Sequence, residues 1–119
     1  VIVLDEPTSF LDPLSARKTF DVINELNKKL GVTVILVEHR LDLASRYADR
    51  VIAMDDGAVV LNGAPREVFD SEKALLIGIG IPKTTKLFQL LRESGVHLNE
   101  IPVTPEGASE ILRGMLKRD

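Results

Sequence analysis

The sequence predicts an α/β fold with parallel strands and a β-hairpin, followed by a small, mostly helical C-terminal appendix. Two apolar segments, residues 1–4 and 32–37, are rich in β-branched residues, which is typical of strands buried on both faces of a parallel sheet. A helical pattern separates them, and a strand, helix and strand of this length predict a right-handed crossover. After residue 70 the pattern becomes helical, so we assign residues 1–70 and 71–119 to different domains.

The helix of the crossover has recognisable ends. Asp12 is a predicted N-cap, Pro13 occupies the first helical position, and Gly31 is the expected C-terminal glycine. Apolar residues recur inside it at helical spacing and predict one buried stripe. That stripe consists of Ala16, Phe20, Ile23, Leu26 and Leu30.

Shorter elements follow the crossover. We expect a short helix over residues 42–48 and a hairpin whose strands, 50–54 and 58–61, flank a tight turn at 55–57. A further short helix is predicted over residues 65–69.

The appendix, residues 71–119, is predicted to contain three helices. They cover residues 71–77 and 83–94, and the last starts at Thr104. The apolar residues that align on helix faces, and that we expect to form its core, are Leu87, Leu90, Leu91, Ile111 and Met115.

Composition excludes several function classes. The formal net charge is -3, with 8 Lys/Arg against 12 Asp/Glu in residues 1–70 and 7 against 6 in residues 71–119. Neither part has the basic excess of a nucleic-acid-binding protein, so we expect no nucleic-acid partner. The absence of cysteine excludes disulfides and thiolate metal sites. No apolar run approaches the ~20 residues of a membrane-spanning helix, so any role at a membrane requires a partner.

Ionisable residues follow both predicted parallel strands. Asp5 and Glu6 come after the first, and Glu38 and His39 come after the second. Parallel strands end at the same edge of a sheet, which is where open α/β sheets place their ligands. Beside a nucleotide, one carboxylate of a pair can hold Mg²⁺ and the other can orient or deprotonate the attacking water. The alternative is structural, because acidic residues after strands are more often caps or loop residues.

The motifs around these residues resemble those of ATP-binding-cassette (ABC) ATPases, whose domain has the P-loop NTPase fold. Residues 1–8, VIVLDEPT, resemble the Walker B strand and its continuation. Residues 9–12, SFLD, resemble the D-loop, and residues 37–39, VEH, resemble the switch-histidine strand. Residues 63–69, GAPREVF, resemble the end of that domain, so the resemblance covers residues 1–70 in family order.

The resemblance implies a role for each matching residue. Asp5 approaches Mg²⁺ through water, Glu6 is the catalytic carboxylate, and His39 senses the γ-phosphate of ATP. The D-loop residues implied to reach a second ATPase subunit and couple the two nucleotide sites are Ser9, Leu11 and Asp12.

Other segments resemble a narrower group, the ATPases of energy-coupling-factor and cobalt/nickel importers. They are residues 38–42, 47–50, 80–91 and 104–106. This resemblance implies an ATP-hydrolysing subunit that powers uptake of a vitamin or of cobalt or nickel. Its implied partners are transmembrane permease subunits, which hold the ATPase at the cytoplasmic face of the membrane, and a second ATPase subunit, identical or paralogous. In this group the C-terminal appendix is associated with ATPase dimerisation.

Three expected motifs do not occur in these 119 residues: the Walker A phosphate loop, the signature motif and the Q-loop. We therefore expect this chain to be the C-terminal part of a longer ATPase. Alone it is expected to be inactive and to bind ATP weakly, because the phosphate loop supplies the backbone cradle and lysine for the phosphates. Two other functions stay open: a soluble ABC ATPase without a transport role and, for the isolated chain, a dimerisation module without activity.

Overall fold

The computed structural model describes residues 1–117 and divides into two compact units, Val1–Tyr47 and a second unit that begins at Ala48. The predicted α/β class, with a parallel strand pair, a hairpin and C-terminal helices, is confirmed. No helix within residues 1–117 combines the length and apolar character needed to cross a bilayer.

The first unit contains the parallel strand pair. β1 (Ile2–Asp5) and β2 (Val34–Val37) lie side by side in parallel, with Asp5 opposite Val37 at their C-terminal ends. Pairing continues one residue further, because the Glu6 N–H donates to the Val37 carbonyl at 2.8 Å. The residues that follow the two strands are therefore brought to one edge.

Between the strands, α1 (Pro13–Leu30) begins and ends where the sequence predicts. The Asp12 carboxylate accepts two backbone N–H groups of the first turn, and Gly31 closes the helix with a left-handed φ of 63°. Ala16 and Phe20 are buried as expected, but Leu30 is 69% exposed. The predicted stripe is therefore wrong at its C-terminal end.

α1 covers one face of the parallel pair. The side chains that line an apolar cavity of about 210 Å³ on that face include Ile2, Leu4, Val34, Ile23 and Leu26. On the other face, Val3, Ile35 and Val37 are 66%, 52% and 48% exposed. Within residues 1–117, α1 packs against only one of these faces, and burial of both faces stays a prediction for the longer ATPase.

The last helix of the first unit, α2 (Leu41–Tyr47), is anchored to α1 through Tyr47. The Tyr47 ring stacks on Phe20 with 5.3 Å between centroids, and its hydroxyl donates to Asp21 at 2.6 Å. The pKa of Tyr47 is raised above its ordinary value, mainly because the hydroxyl is partly buried and also because of this hydrogen bond.

In the second unit, β3 (Val51–Asp55) and β4 (Ala58–Gly63) form the predicted antiparallel hairpin. Asp56 and Gly57 have φ values of 46° and 75°, and two successive left-handed residues match the twist of a hairpin. α3 (Pro65–Phe69) follows and packs against both strands.

Three further helices complete the described part of the second unit: α4 (Glu72–Leu76), α5 (Lys83–Glu93) and α6 (Pro105–Leu116). Their core contains Phe88, Ile101 and Ala108, with Leu98 and Ile111 packed against it.

The buried face of α5 differs from the predicted one. Leu87 and Leu90 are 52% and 47% exposed, whereas Thr85, Phe88 and Gln89 are buried. The donor groups of both polar residues have acceptors: the Thr85 hydroxyl donates to the Pro102 carbonyl at 2.9 Å, and the Gln89 amide nitrogen donates to the Phe69 carbonyl at 3.3 Å. A leucine pattern alone does not contain that information.

The domain boundary predicted at Asp70 does not coincide with the division between compact units. Gln89 and Arg92 of α5 both donate to the Asp70 carboxylate, at 3.0–3.2 Å, and so join residues on either side of that boundary. The structure divides between Tyr47 and Ala48 instead. The assignment of residues 1–70 to an ATPase domain rests on motifs and stays a prediction.

Candidate functional site

The predicted acid and histidine meet at the C-terminal edge of the parallel pair. Glu6 Oε1 lies 2.7 Å from His39 Nε2, and their side chains are 41% and 83% exposed. Glu6 has a φ of 46°, in the left-handed region that few non-glycine residues adopt. The contact therefore joins a carboxylate and an imidazole at the surface, where both are accessible to water or a ligand.

Asp5, the predicted metal ligand, is the exposed last residue of β1. Residues 1–117 contain no group of three or more histidine, cysteine, aspartate or glutamate side chains that could hold a metal ion. Mg²⁺ commonly takes one or two carboxylates and completes its shell with waters and substrate phosphates. The exposed carboxylate of Asp5 therefore fits one corner of a magnesium site and not a complete site.

The D-loop segment, Ser9–Asp12, forms a turn stabilised by local hydrogen bonds. The Ser9 N–H and hydroxyl both donate to the Glu6 carbonyl, at 3.2 and 3.1 Å, and the Leu11 N–H donates to the Thr8 carbonyl at 3.1 Å. The Asp12 carboxylate is engaged as the N-cap of α1. Its pKa lies below the ordinary aspartate value, chiefly because its side-chain hydrogen bond with Ser15 favours the ionised form.

Three residues to which the sequence motifs assign no role connect the loops after β1 and β2. The Thr8 hydroxyl donates to Glu38 Oε2 at 2.7 Å, and Glu38 Oε1 accepts the His39 and Arg40 N–H groups at 3.0 and 3.2 Å. Arg40 Nη2 donates to the Leu11 carbonyl at 2.7 Å. Thr8 and Glu38 follow two parallel strands, so the topology could have predicted that they lie close together. The spacing of residues in the sequence does not predict the hydrogen bond between Arg40 and Leu11.

Comparison with known proteins identifies relatives. No family model matches the chain. The energy-coupling factor transporter ATP-binding protein EcfA1 of Caldanaerobacter subterraneus is 45% identical over 112 residues, which are 93% of this chain and 40% of that protein. The protein EcfA2 of Latilactobacillus sakei, described in the same words, is 34% identical over 117 residues, 98% of this chain and 40% of that protein.

A solved structure agrees with these relatives. CbiO1 from Clostridium perfringens, described as part of the ABC transporter complex CbiONQ, aligns with a TM-score of 0.55 and 32% identity. The alignment covers 76% of this chain and 36% of that one, and the chain spans 40% of the length of both curated relatives. These relatives and this solved structure agree with the family that the motifs of residues 1–70 indicate. The chain belongs to the ABC ATPase family.

Proposed function

We propose that this chain is part of an ATP-hydrolysing subunit that powers a membrane importer. The observation that carries the proposal is the 2.7 Å contact between Glu6 and His39 at the edge where the parallel strands end. That edge is the ligand-binding edge of α/β sheets, and a carboxylate beside an imidazole suits general acid–base chemistry. The relatives described as energy-coupling factor transporter ATP-binding proteins support the link to transport.

Each site residue then has a defined task. Glu6 accepts a proton from the water that attacks the γ-phosphate of ATP. His39 senses the γ-phosphate, and the contact of its Nε2 with Glu6 orients the imidazole ring. Asp5 would hold Mg²⁺ through water, and the ion would supply positive charge that neutralises the phosphate oxygens of ATP.

The proposal includes partners. The D-loop segment Ser9–Asp12 reaches a second ATPase subunit, identical or paralogous, and transmembrane permease subunits hold the ATPase at the cytoplasmic face of the membrane. The transported substrate is a vitamin or cobalt or nickel. The appendix provides an additional dimerisation surface in this proposal, and Leu76 and Leu116 in it are 84% and 76% exposed.

The test is Glu6→Gln in the intact ATPase that contains this segment. Glutamine keeps the shape of the side chain but cannot accept the proton, so we expect kcat to fall by about 10²–10⁴-fold while ATP affinity is retained. Glu25→Gln is a matched control, because Glu25 is an exposed glutamate of α1 paired with Lys29. Turnover at the wild-type rate in Glu6→Gln would contradict the proposal.

A further inference from the structure

Glu38 holds the backbone that carries His39. Its two carboxylate oxygens have different partners: Oε1 accepts the N–H groups of His39 and Arg40, and Oε2 accepts the hydroxyl of Thr8. Hydrogen bonds to a carboxylate are stronger than those between neutral groups. The Thr8 residue is completely buried, so its hydroxyl depends on this bond for its partner. The loop after β2 is therefore fastened to the loop after β1.

Arg40 makes a second connection between the same two loops. Its guanidinium donates to the carbonyl of Leu11 at 2.7 Å, across 29 residues of sequence. The N–H of Leu11 in turn donates to the carbonyl of Thr8 at 3.1 Å. The D-loop segment Ser9–Asp12 is thus joined to residues on both sides of His39.

We infer that Thr8, Glu38 and Arg40 are positioning residues for the proposed ATP hydrolysis. They act through His39 and Leu11 and hold the D-loop segment and the imidazole ring in a fixed relation to Glu6. A displacement of the D-loop segment is consequently transmitted to His39 through the bonds at Glu38 and Arg40. This inference rests on the proposed function, because it assigns Glu6 and His39 to the reaction.

Two substitutions of Thr8 separate the hydroxyl from the packing. Thr8→Val keeps the shape and loses the hydroxyl, whereas Thr8→Ser keeps the hydroxyl and loses a methyl group. In the intact ATPase we expect Thr8→Val to lower kcat about tenfold or more with the KM for ATP nearly unchanged, since misplacement of reacting groups acts mainly on the chemical step. Thr8→Ser should restore most of the rate. If Thr8 contributes only packing, Thr8→Ser should have a lower kcat than Thr8→Val. That result, or a wild-type kcat in both variants, would overturn the inference.

Arg40→Gln tests the second connection without altering a buried residue. It should lower kcat in the same manner, and Arg50→Gln is the matched control because Arg50 donates to the Asn62 side chain in the hairpin. A wild-type kcat in Arg40→Gln would remove Arg40 from the inference.

A measurement without nucleotide keeps the inference separate from the proposed function. We expect hydrogen exchange at the His39 and Arg40 amides to accelerate about threefold or more in Thr8→Val and to stay at the wild-type rate in Thr8→Ser. If Glu6→Gln keeps wild-type turnover, the proposed function fails and this comparison alone decides whether the connection exists. Equal exchange rates in wild type and Thr8→Val would overturn it.

Discussion

At the scale of single residues, Glu6 adopts a backbone conformation that glutamate usually avoids. Its φ of 46° lies in the left-handed region, which costs of the order of 1–3 kcal/mol for a residue with a side chain. Neighbouring bonds hold it there: its N–H donates to the Val37 carbonyl, and its own carbonyl accepts the Ser9 N–H and hydroxyl. The chain turns sharply directly after β1, and the Glu6 carboxylate contacts His39. Residue spacing alone could not have predicted this backbone conformation.

Asp12 provides a prediction about acid stability. A carboxyl group whose pKa is lower in the folded state stabilises the fold above its unfolded pKa, and that contribution is lost as pH falls through the folded pKa. We therefore expect the thermal unfolding midpoint of the chain to decrease as the pH is lowered below about 4. The decrease should be less steep in Asp12→Asn, because asparagine keeps a good N-cap but does not titrate.

The comparison requires a control, since other carboxyl groups also titrate in acid. Asp56→Asn serves this purpose because Asp56 lies exposed in the hairpin turn, where asparagine tolerates the same left-handed conformation. Thermal melts followed by circular dichroism from about pH 5 to pH 2 provide the readout. The same pH dependence in wild type and Asp12→Asn would contradict the assignment of Asp12.

At the scale of elements, helix ends were more predictable than helix faces. The N-cap at Asp12 and the glycine at Gly31 mark α1 correctly, because capping depends on residues adjacent in sequence. The buried face of α5 was predicted incorrectly, because it depends on the acceptor carbonyls of Phe69 and Pro102. Those acceptors lie 20 and 17 residues from their donors.

Neighbouring residues of α5 test this corrected face. Phe88 is fully buried, so Phe88→Ala should lower the free energy of unfolding of the second unit by about 3–5 kcal/mol. Leu87 is 52% exposed, and Leu87→Ala should change it by about 0.5 kcal/mol or less. Urea unfolding followed by circular dichroism measures both values. A larger decrease in the free energy of unfolding in Leu87→Ala than in Phe88→Ala would show that the leucine face of α5 is the buried one.

At the scale of the whole molecule, parallel topology predicted the main feature of the site. Once residues 1–37 are recognised as a strand, helix and strand, Glu6 and His39 must follow strands that end at one edge, and the structure places them in contact. The connections through Thr8, Glu38 and Arg40 were not predicted, because they depend on side-chain conformations across two loops. The division between compact units at Tyr47 also differs from the motif boundary at Asp70. The units are defined by which residues pack together, whereas the motifs are defined by residues with a chemical role.

The most direct test of the account is a double-mutant cycle on ATP turnover in the intact ATPase, with Glu6→Gln, His39→Ala and the double variant. If the two residues act as one unit, each single substitution lowers kcat severely and the double variant is about as slow as the slower single variant, because the effects of such residues are not additive. We predict this result. Effects that multiply in the double variant, or a wild-type rate in either single variant, would contradict the central claim that Glu6 and His39 form one catalytic pair.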